Sequence, residues 1–199
     1  MTSVLCSTEN LPKSVARAGV RPTRAGILHL GPGAFFRAHL AAYTDELDTA
    51  DWGIVTGGLR NADTAQAFDR QAGLYTLLTR DSSGTSARVI GSVLGGVAPA
   101  DLLAQMCDPA IRIVSLTITE KAYGLSPTTG GLDTGHPDIA ADLADPARPR
   151  SAVGLIARAL GLRRAAGIAP FTPLSCDNLP GNGHVLRRLV TEFAARQDA

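Results

Sequence analysis

Lysine is almost missing from this 199-residue sequence. Only Lys13 and Lys121 occur; the other basic residues are arginines, scattered along the chain and adjacent only at Arg163-Arg164 and Arg187-Arg188. With a formal net charge of +1, the chain has no general attraction for nucleic acid or an anionic membrane surface. Cysteine is also scarce: Cys6, Cys107 and Cys176 are odd in number, far apart and form no C-x-x-C, which argues against a disulfide framework and a zinc site. Cys176, Asp177 and His184 match no metal-ligand spacing, so no metal is expected. No apolar run approaches the roughly 18 residues of a spanning helix. The N-terminus lacks a basic segment followed by an apolar core, so a cytoplasmic location is the default expectation. Neither G-x-S-x-G nor G-x-x-x-x-G-K-[ST] occurs, leaving serine-hydrolase and P-loop chemistry without support. Internal repeats and low-complexity tracts are absent as well.

What the chain does hold is a hydrophobic fraction of 45%, enough for a sizeable core in one domain. Residues 1–24, polar and carrying Pro12 and Pro22, read as an N-terminal extension, and residues 25–199 as the domain proper. Strand-like runs are expected at 26–30, 52–57, 74–79, 87–93, 111–118 and 171–176. Helices are expected at about 34–47, 63–70, 100–106, from 136, 152–166 and 184–195. Phe35, Ala38, Ala42 and Leu47 recur near helical spacing in the first helix, and Val185, Leu186, Leu189, Val190 and Phe193 form an apolar stripe in the last. The alternation predicts an α/β fold with a doubly wound, mostly parallel sheet of Rossmann type, into which Asp81-Ser-Ser-Gly84 inserts an antiparallel hairpin. Pro173 predicts an edge or a bend in the last strand.

The stretch from Gly26 organises the rest. An apolar run, Ile27 to Leu30, meets Gly31-Pro32-Gly33 and opens at once into a helix. A strand that breaks into a helix through close glycines can hold a pyrophosphate: Gly31 permits the turn, Gly33 removes a Cβ, and helix-start N–H groups face the anion. The third glycine of G-x-G-x-x-G is Phe36 here, so an ordinary strand-to-helix turn fits the spacing too. His29, inside the strand, reads as a core histidine. His39 and Tyr43, four residues apart on one helix face, read as packing.

In an open α/β sheet, ligands lie beyond the carboxyl ends of the strands. Four segments follow strands: the glycine turn 31–37, the turn 57–63, Thr119-Glu120-Lys121, and Ser175-Cys-Asp-Asn178. The usual acid that reads the adenosine ribose, roughly 20 residues past the glycines, is replaced by Gly57-Gly58. Asp63 is the nearest substitute, while Arg60 is placed to lie on adenine or meet a 2′-phosphate; NAD is favoured over NADP. On spacing alone, a solvated turn accounts for Arg60 and Asp63 as well, a solvated strand end for Glu120 and Lys121, and a helix-capping turn for Asn178.

Together these segments resemble one family. Gly31-Pro-Gly-Ala-Phe-Phe-Arg-Ala-His39 with Tyr43 and Asp45, Gly58-Leu-Arg60, Gly73-Leu-Tyr-Thr-Leu, Thr117-Ile-Thr-Glu-Lys-Ala-Tyr123 and Ser175-Cys-Asp-Asn-Leu-Pro-Gly-Asn-Gly183 are similar, in that order, to the mannitol dehydrogenase family of polyol-specific long-chain dehydrogenases. The resemblance implies a Rossmann-type N-terminal domain and a mainly helical C-terminal substrate domain. It also implies hydride transfer between a nicotinamide and a polyol or sugar acid of the mannitol/fructose or mannonate/fructuronate kind.

By position, Gly31, Gly33, Ala34, Phe35 and Arg37 then form the cofactor loop, with Arg60 and Asp63 completing the cofactor site. Glu120 matches the acid thought to assist proton movement, and Asn178 the asparagine that hydrogen-bonds the reacting oxygen. Ala122 stands where relatives commonly have glycine. The family's general base, a lysine in a lysine, asparagine and histidine constellation of the C-terminal domain, has no counterpart among these 199 residues. Lys121 belongs to the Thr-Glu-Lys block rather than to the base position; as the sole lysine near the expected crevice it is the catalytic candidate for the base within this sequence, a role that needs burial to lower its pKa. The chain is therefore expected to be a cofactor-binding half, inactive alone, whose C-terminal partner domain is supplied separately. The contrasting expectation is a catalytically silent dinucleotide-binding module.

Overall fold

The computed structural model describes residues 15–16 and 19–197, which include most of the expected domain but little of the N-terminal extension. They divide into two compact units, one ending at Ala98 and one beginning at Pro99. The first contains β1 (Val15–Ala16), β2 (Ala25–Leu30), α1 (Ala34–Ala38), α2 (Leu40–Asp45), β3 (Gly53–Gly57), α3 (Asp63–Arg70), β4 (Tyr75–Asp81), β5 (Gly84–Ile90) and β6 (Val93–Val97).

Side chains alternate across a strand, so Ile27 and His29 point to one face of β2 and Leu28 and Leu30 to the other. All four are buried. A strand covered on both faces is why this segment reads as a nearly unbroken apolar run. It pairs in parallel with β3, and β3 in turn with β6. β6 was not foreseen as a strand of its own, because Gly95-Gly96 weakens the pattern. Its glycine is sterically required: a Cβ on Gly96 would stand 2.3 Å from the Ala65 backbone of α3. The expected run 87–93 is instead divided. The Gly91 N–H donates to Asp45 Oδ1 at 2.7 Å and Ser92 Oγ to the Ala41 carbonyl at 2.7 Å. These two bonds to α2 turn the chain out of the hairpin and into the parallel sheet.

β4 and β5 form the antiparallel hairpin, closing on the Asp81–Gly84 pair. The Asp81 carboxylate accepts from the Ser83 N–H at 2.7 Å and hydroxyl at 2.5 Å, an Asx-type turn. β1 pairs in parallel with β5.

The expected continuous helix over 34–47 is two helices. His39 interrupts it with φ −120° and ψ −87°. Of the residues that recur at helical spacing, Phe35 and Leu47 are 57% and 65% exposed and Ala42 is buried, as are Phe36, Ala41, Thr44 and Asp45. A break near the middle rotates one half of the stripe relative to the other, and alanine is too neutral to reveal the shift.

The second unit contains α4 (Leu102–Cys107), β7 (Ile113–Leu116), α5 (Pro137–Ala144), α6 (Ala152–Ala165), β8 (Thr172–Ser175) and α7 (Asn182–Gln197). β7 and β8 are parallel, Val114 opposite Pro173. The Thr172 and Cys176 N–H groups donate to Arg112 and Leu116 of the β7 segment, so even-numbered residues face β7 and Pro173 turns its N-side away. That is the position where a missing N–H costs no ladder bond. Ser151 caps α6 by accepting from the Gly154 N–H at 2.9 Å. Buried Arg163 donates to the Met106 and Asp108 carbonyls, each at 2.8 Å, and to Ala169 at 2.8 Å, tying the end of α6 to that of α4. Leu186, Leu189 and Phe193 are the buried stripe of α7. Among the described residues, no helix is long and apolar enough to cross a membrane.

Candidate functional site

Parallel pairing brings the carboxyl ends of β2 and β3 to one edge, and the first unit places its expected residues there. Gly31 takes φ +85°, a left-handed conformation open to glycine, while its N–H donates to the Gly57 carbonyl at 3.0 Å. One hydrogen bond thus joins the two strand tips. Gly33 donates to Gly31 at 2.7 Å, and a Cβ built on it would meet nothing nearer than the Gly31 oxygen at 3.9 Å. Packing leaves space for a Cβ at Gly33, so crowding of that atom inside the free protein does not account for the glycine.

Ala34, Phe35 and Arg37 are exposed along α1. The N–H groups of its first turn have no intrahelical acceptor. The turn is held from below and from the side. His29 is wholly buried, stacks on Phe36 at 3.9 Å and hydrogen-bonds the Gly31 backbone. Burial lowers its pKa to about 3, against a smaller raising effect of the Gly31 bond, so the ring is neutral near pH 7. Tyr75 donates its phenol to the Arg37 carbonyl at 2.6 Å, and burial, then the nearby Asp45 charge, pushes its pKa upward. His39 Nδ1 lies 2.9 Å from the Phe35 carbonyl, which only accepts. Its ring stacks on that of Phe35 at 4.2 Å. After β3, Arg60 is exposed, and Asp63, also exposed, is the first residue of α3.

In the second unit, parallel β7 and β8 likewise send their following loops to one edge. Glu120 and Lys121 are exposed on a short 3-10 turn, Glu120–Tyr123, and Asn178 is exposed in the loop after β8. The link between these loops was not foreseen from the sequence. Tyr123, fully buried, places its phenol 2.7 Å from Ser175 Oγ and donates to Asp177 Oδ2 at 2.5 Å. Burial raises the Asp177 pKa, while its bonds with Tyr123 and the Ile118 backbone work the other way. Asn182 Nδ2 donates to the Ser175 carbonyl at 3.2 Å and the Asp177 carbonyl at 2.9 Å. The signal available in the sequence was a tyrosine three residues past Glu120, which returns to the interior on a turn that otherwise faces water. The Cys176 thiol is raised by burial and by the Asp177 charge. Among the described residues, no group of three or more histidine, cysteine or acidic side chains is arranged to hold a metal.

Apolar cavities of about 590 and 400 Å³ lie along α6, β8 and α7, lined by residues such as Leu160, Pro173, Leu186 and Val190. None of the expected site residues lines either one.

A family model, the mannitol dehydrogenase Rossmann domain, matches residues 25–199. Mannitol 2-dehydrogenase of Cereibacter sphaeroides is 46% identical over 184 residues, covering 87% of this chain and 38% of that protein. The crystal structure of a substrate-free D-sorbitol dehydrogenase superposes with a TM-score of 0.90 at 37% identity, over 98% of this chain and 43% of its own. Pseudomonas fluorescens mannitol 2-dehydrogenase, solved as a ternary complex with NAD and D-mannitol, superposes with a TM-score of 0.88 at 41% identity, over 94% of this chain and 41% of its own. The chain thus spans about 38% of the length of that curated relative. Matched from its first long strand through its last helix, it belongs to the mannitol dehydrogenase family, of which it carries the Rossmann domain.

Proposed function

We propose that this chain binds NAD and serves an NAD-dependent oxidoreductase that acts on a polyol or sugar acid. The observation that carries the reading is the turn at Gly31 and Gly33: a left-handed glycine, an unfilled Cβ position and the opening N–H groups of α1 fit a diphosphate. Gly31, Gly33, Ala34 and Phe35 would hold the bridge through backbone groups, with Arg37 adding positive charge. Asp63 would accept from the ribose hydroxyls and repel a 2′-phosphate, which favours NAD over NADP, and Arg60 would lie against adenine. Bound nicotinamide supplies the acceptor or donor of a hydride.

On the substrate side, Asn178 would donate a hydrogen bond to the oxygen of the reacting carbon, where negative charge grows as its proton leaves. Glu120 would relay that proton toward solvent. Neither residue is itself the base that removes it. Lys121, the one lysine among the described residues, is exposed; the base would come from a C-terminal domain, and the chain by itself is expected to turn over no substrate. That no lysine is enclosed among the described residues favours a second reading, a dinucleotide-binding module with no catalysis of its own. Mannitol and fructose, or mannonate and fructuronate, are the substrate pairs the family suggests.

Titration with NADH tests the shared part of both readings. Enhanced nicotinamide fluorescence and a raised melting temperature are expected, and the absence of both defeats them. Supplying a C-terminal domain of the family in trans and assaying mannitol oxidation or fructuronate reduction separates the two: turnover supports the oxidoreductase, and NADH binding without turnover supports the silent module.

A further inference from the structure

We propose that Tyr123 and Asn182 are positioning residues that lock the Glu120 turn and the Asn178 loop into one arrangement. Three anchors converge on the segment Ser175–Asp177. Tyr123, on the 3-10 turn that carries Glu120, reaches Ser175 Oγ at 2.7 Å and the Asp177 carboxylate at 2.5 Å. The Ile118 backbone, where the chain leaves β7, hydrogen-bonds the same carboxylate. From the far side, Asn182 at the start of α7 donates to the carbonyls of Ser175 and Asp177 at 3.2 and 2.9 Å. Asn178 is the next residue and is itself exposed. An exposed asparagine on a turn-rich loop sweeps many orientations unless its backbone is fixed, and fixing it beforehand is what makes a single hydrogen bond useful in a transition state.

The arrangement is costly to build for packing alone. A buried phenol and a partly buried carboxylate are used where two apolar side chains would fill the space, which fits a demand for orientation more than for stability. Tyr123 and Asn182 touch neither cofactor nor substrate in this account; they act through Asp177 and Asn178. The proposal rests on the reading above for the role of Asn178, but not for the clamp.

Amide hydrogen exchange measured by NMR on the ¹⁵N-labelled chain decides it. Tyr123→Phe keeps the ring and removes the hydroxyl. It should accelerate exchange at Ile118, Asp177 and Asn178 by about tenfold or more, the scale expected for losing a hydrogen bond to a charged group. Leu28 and Ile54, deep in the first unit, should exchange as before. Asn182→Ala should free Asp177 and Asn178 but not Ile118. Asp177→Asn retains an acceptor for the phenol and should restore most of the protection that Asp177→Leu loses. Unchanged exchange at Asn178 in Tyr123→Phe, or equal acceleration across both units, overturns the clamp. NADH affinity, measured in parallel, should stay within about twofold for every variant. A chain that never binds NADH defeats the proposed function while the exchange pattern still decides the positioning role.

Discussion

His29 shows how one side chain ties the glycine turn to the stability of the chain. Its pKa in the folded protein is about 3, against 6.5 for an ordinary histidine, because burial disfavours the imidazolium. The unfolded chain therefore takes up this proton first. His29 costs nothing above about pH 6.5, and as pH falls from there toward about 3 the folded state loses up to about 1.4 kcal/mol per unit. Urea unfolding of the parent chain and of His29→Gln should show the parent ahead at neutral pH and its lead narrowing from about pH 6 to about pH 4. A constant lead across that window contradicts the buried neutral ring. Gly33 separates folding from binding. Room for a Cβ and a φ of −73° leave mainly the loss of a favourable N-cap residue, so Gly33→Val should unfold within about 1 kcal/mol of the parent. It should nevertheless abolish NADH fluorescence enhancement, because the new side chain occupies the space assigned to the diphosphate. Asn178→Ala should leave NADH affinity nearly intact, and equal losses from both substitutions contradict their separate roles.

α1 to α5 start without a side-chain cap hydrogen bond, whereas α6 has a developed one. The Ser151 hydroxyl accepts from the Gly154 N–H while donating to Asp142 at 2.6 Å. The fully buried Asp142 carboxylate also accepts from the Arg150 and Ser151 N–H groups at 2.7 and 2.9 Å. Ser151→Ala removes one cap and should cost about 1 kcal/mol. Asp142→Ala strands several donors at once and should cost about 3 kcal/mol or more, so the order of the two midpoints in urea is the check. A reversed order means that solvent reaches the donors at the start of α6. Element existence was legible from local signals: the apolar run Ile27 to Leu30 before Gly31, the stripe from Val185 to Phe193, Asp81 and Gly84 around a hairpin turn. The break at His39 was not legible, since neither glycine nor proline marks it. Nor was the change of sheet at Gly91-Ser92, because it is set by Asp45 and Ala41, 46 and 51 residues earlier in the chain.

For the whole molecule, ligand linkage gives the broadest test. A ligand that binds only the folded state stabilises it by about 2.7 kcal/mol at a hundredfold excess over Kd. At roughly 2–4 °C per kcal/mol for a chain of this size, saturating NADH should raise the melting temperature by several degrees and mannitol alone should not. A shift that does not grow with NADH concentration argues against binding to the native state. The sequence by itself determined the α/β class, the glycine turn, most of the strands and helices, and the family, because each is written in residues close together or in short blocks read in series. Tertiary structure alone decided that Phe36 and not Phe35 enters the core, that Gly96 is required by Ala65, and that Tyr123 meets Asp177. Those outcomes depend on which distant segments pack together, and no local period or propensity encodes that.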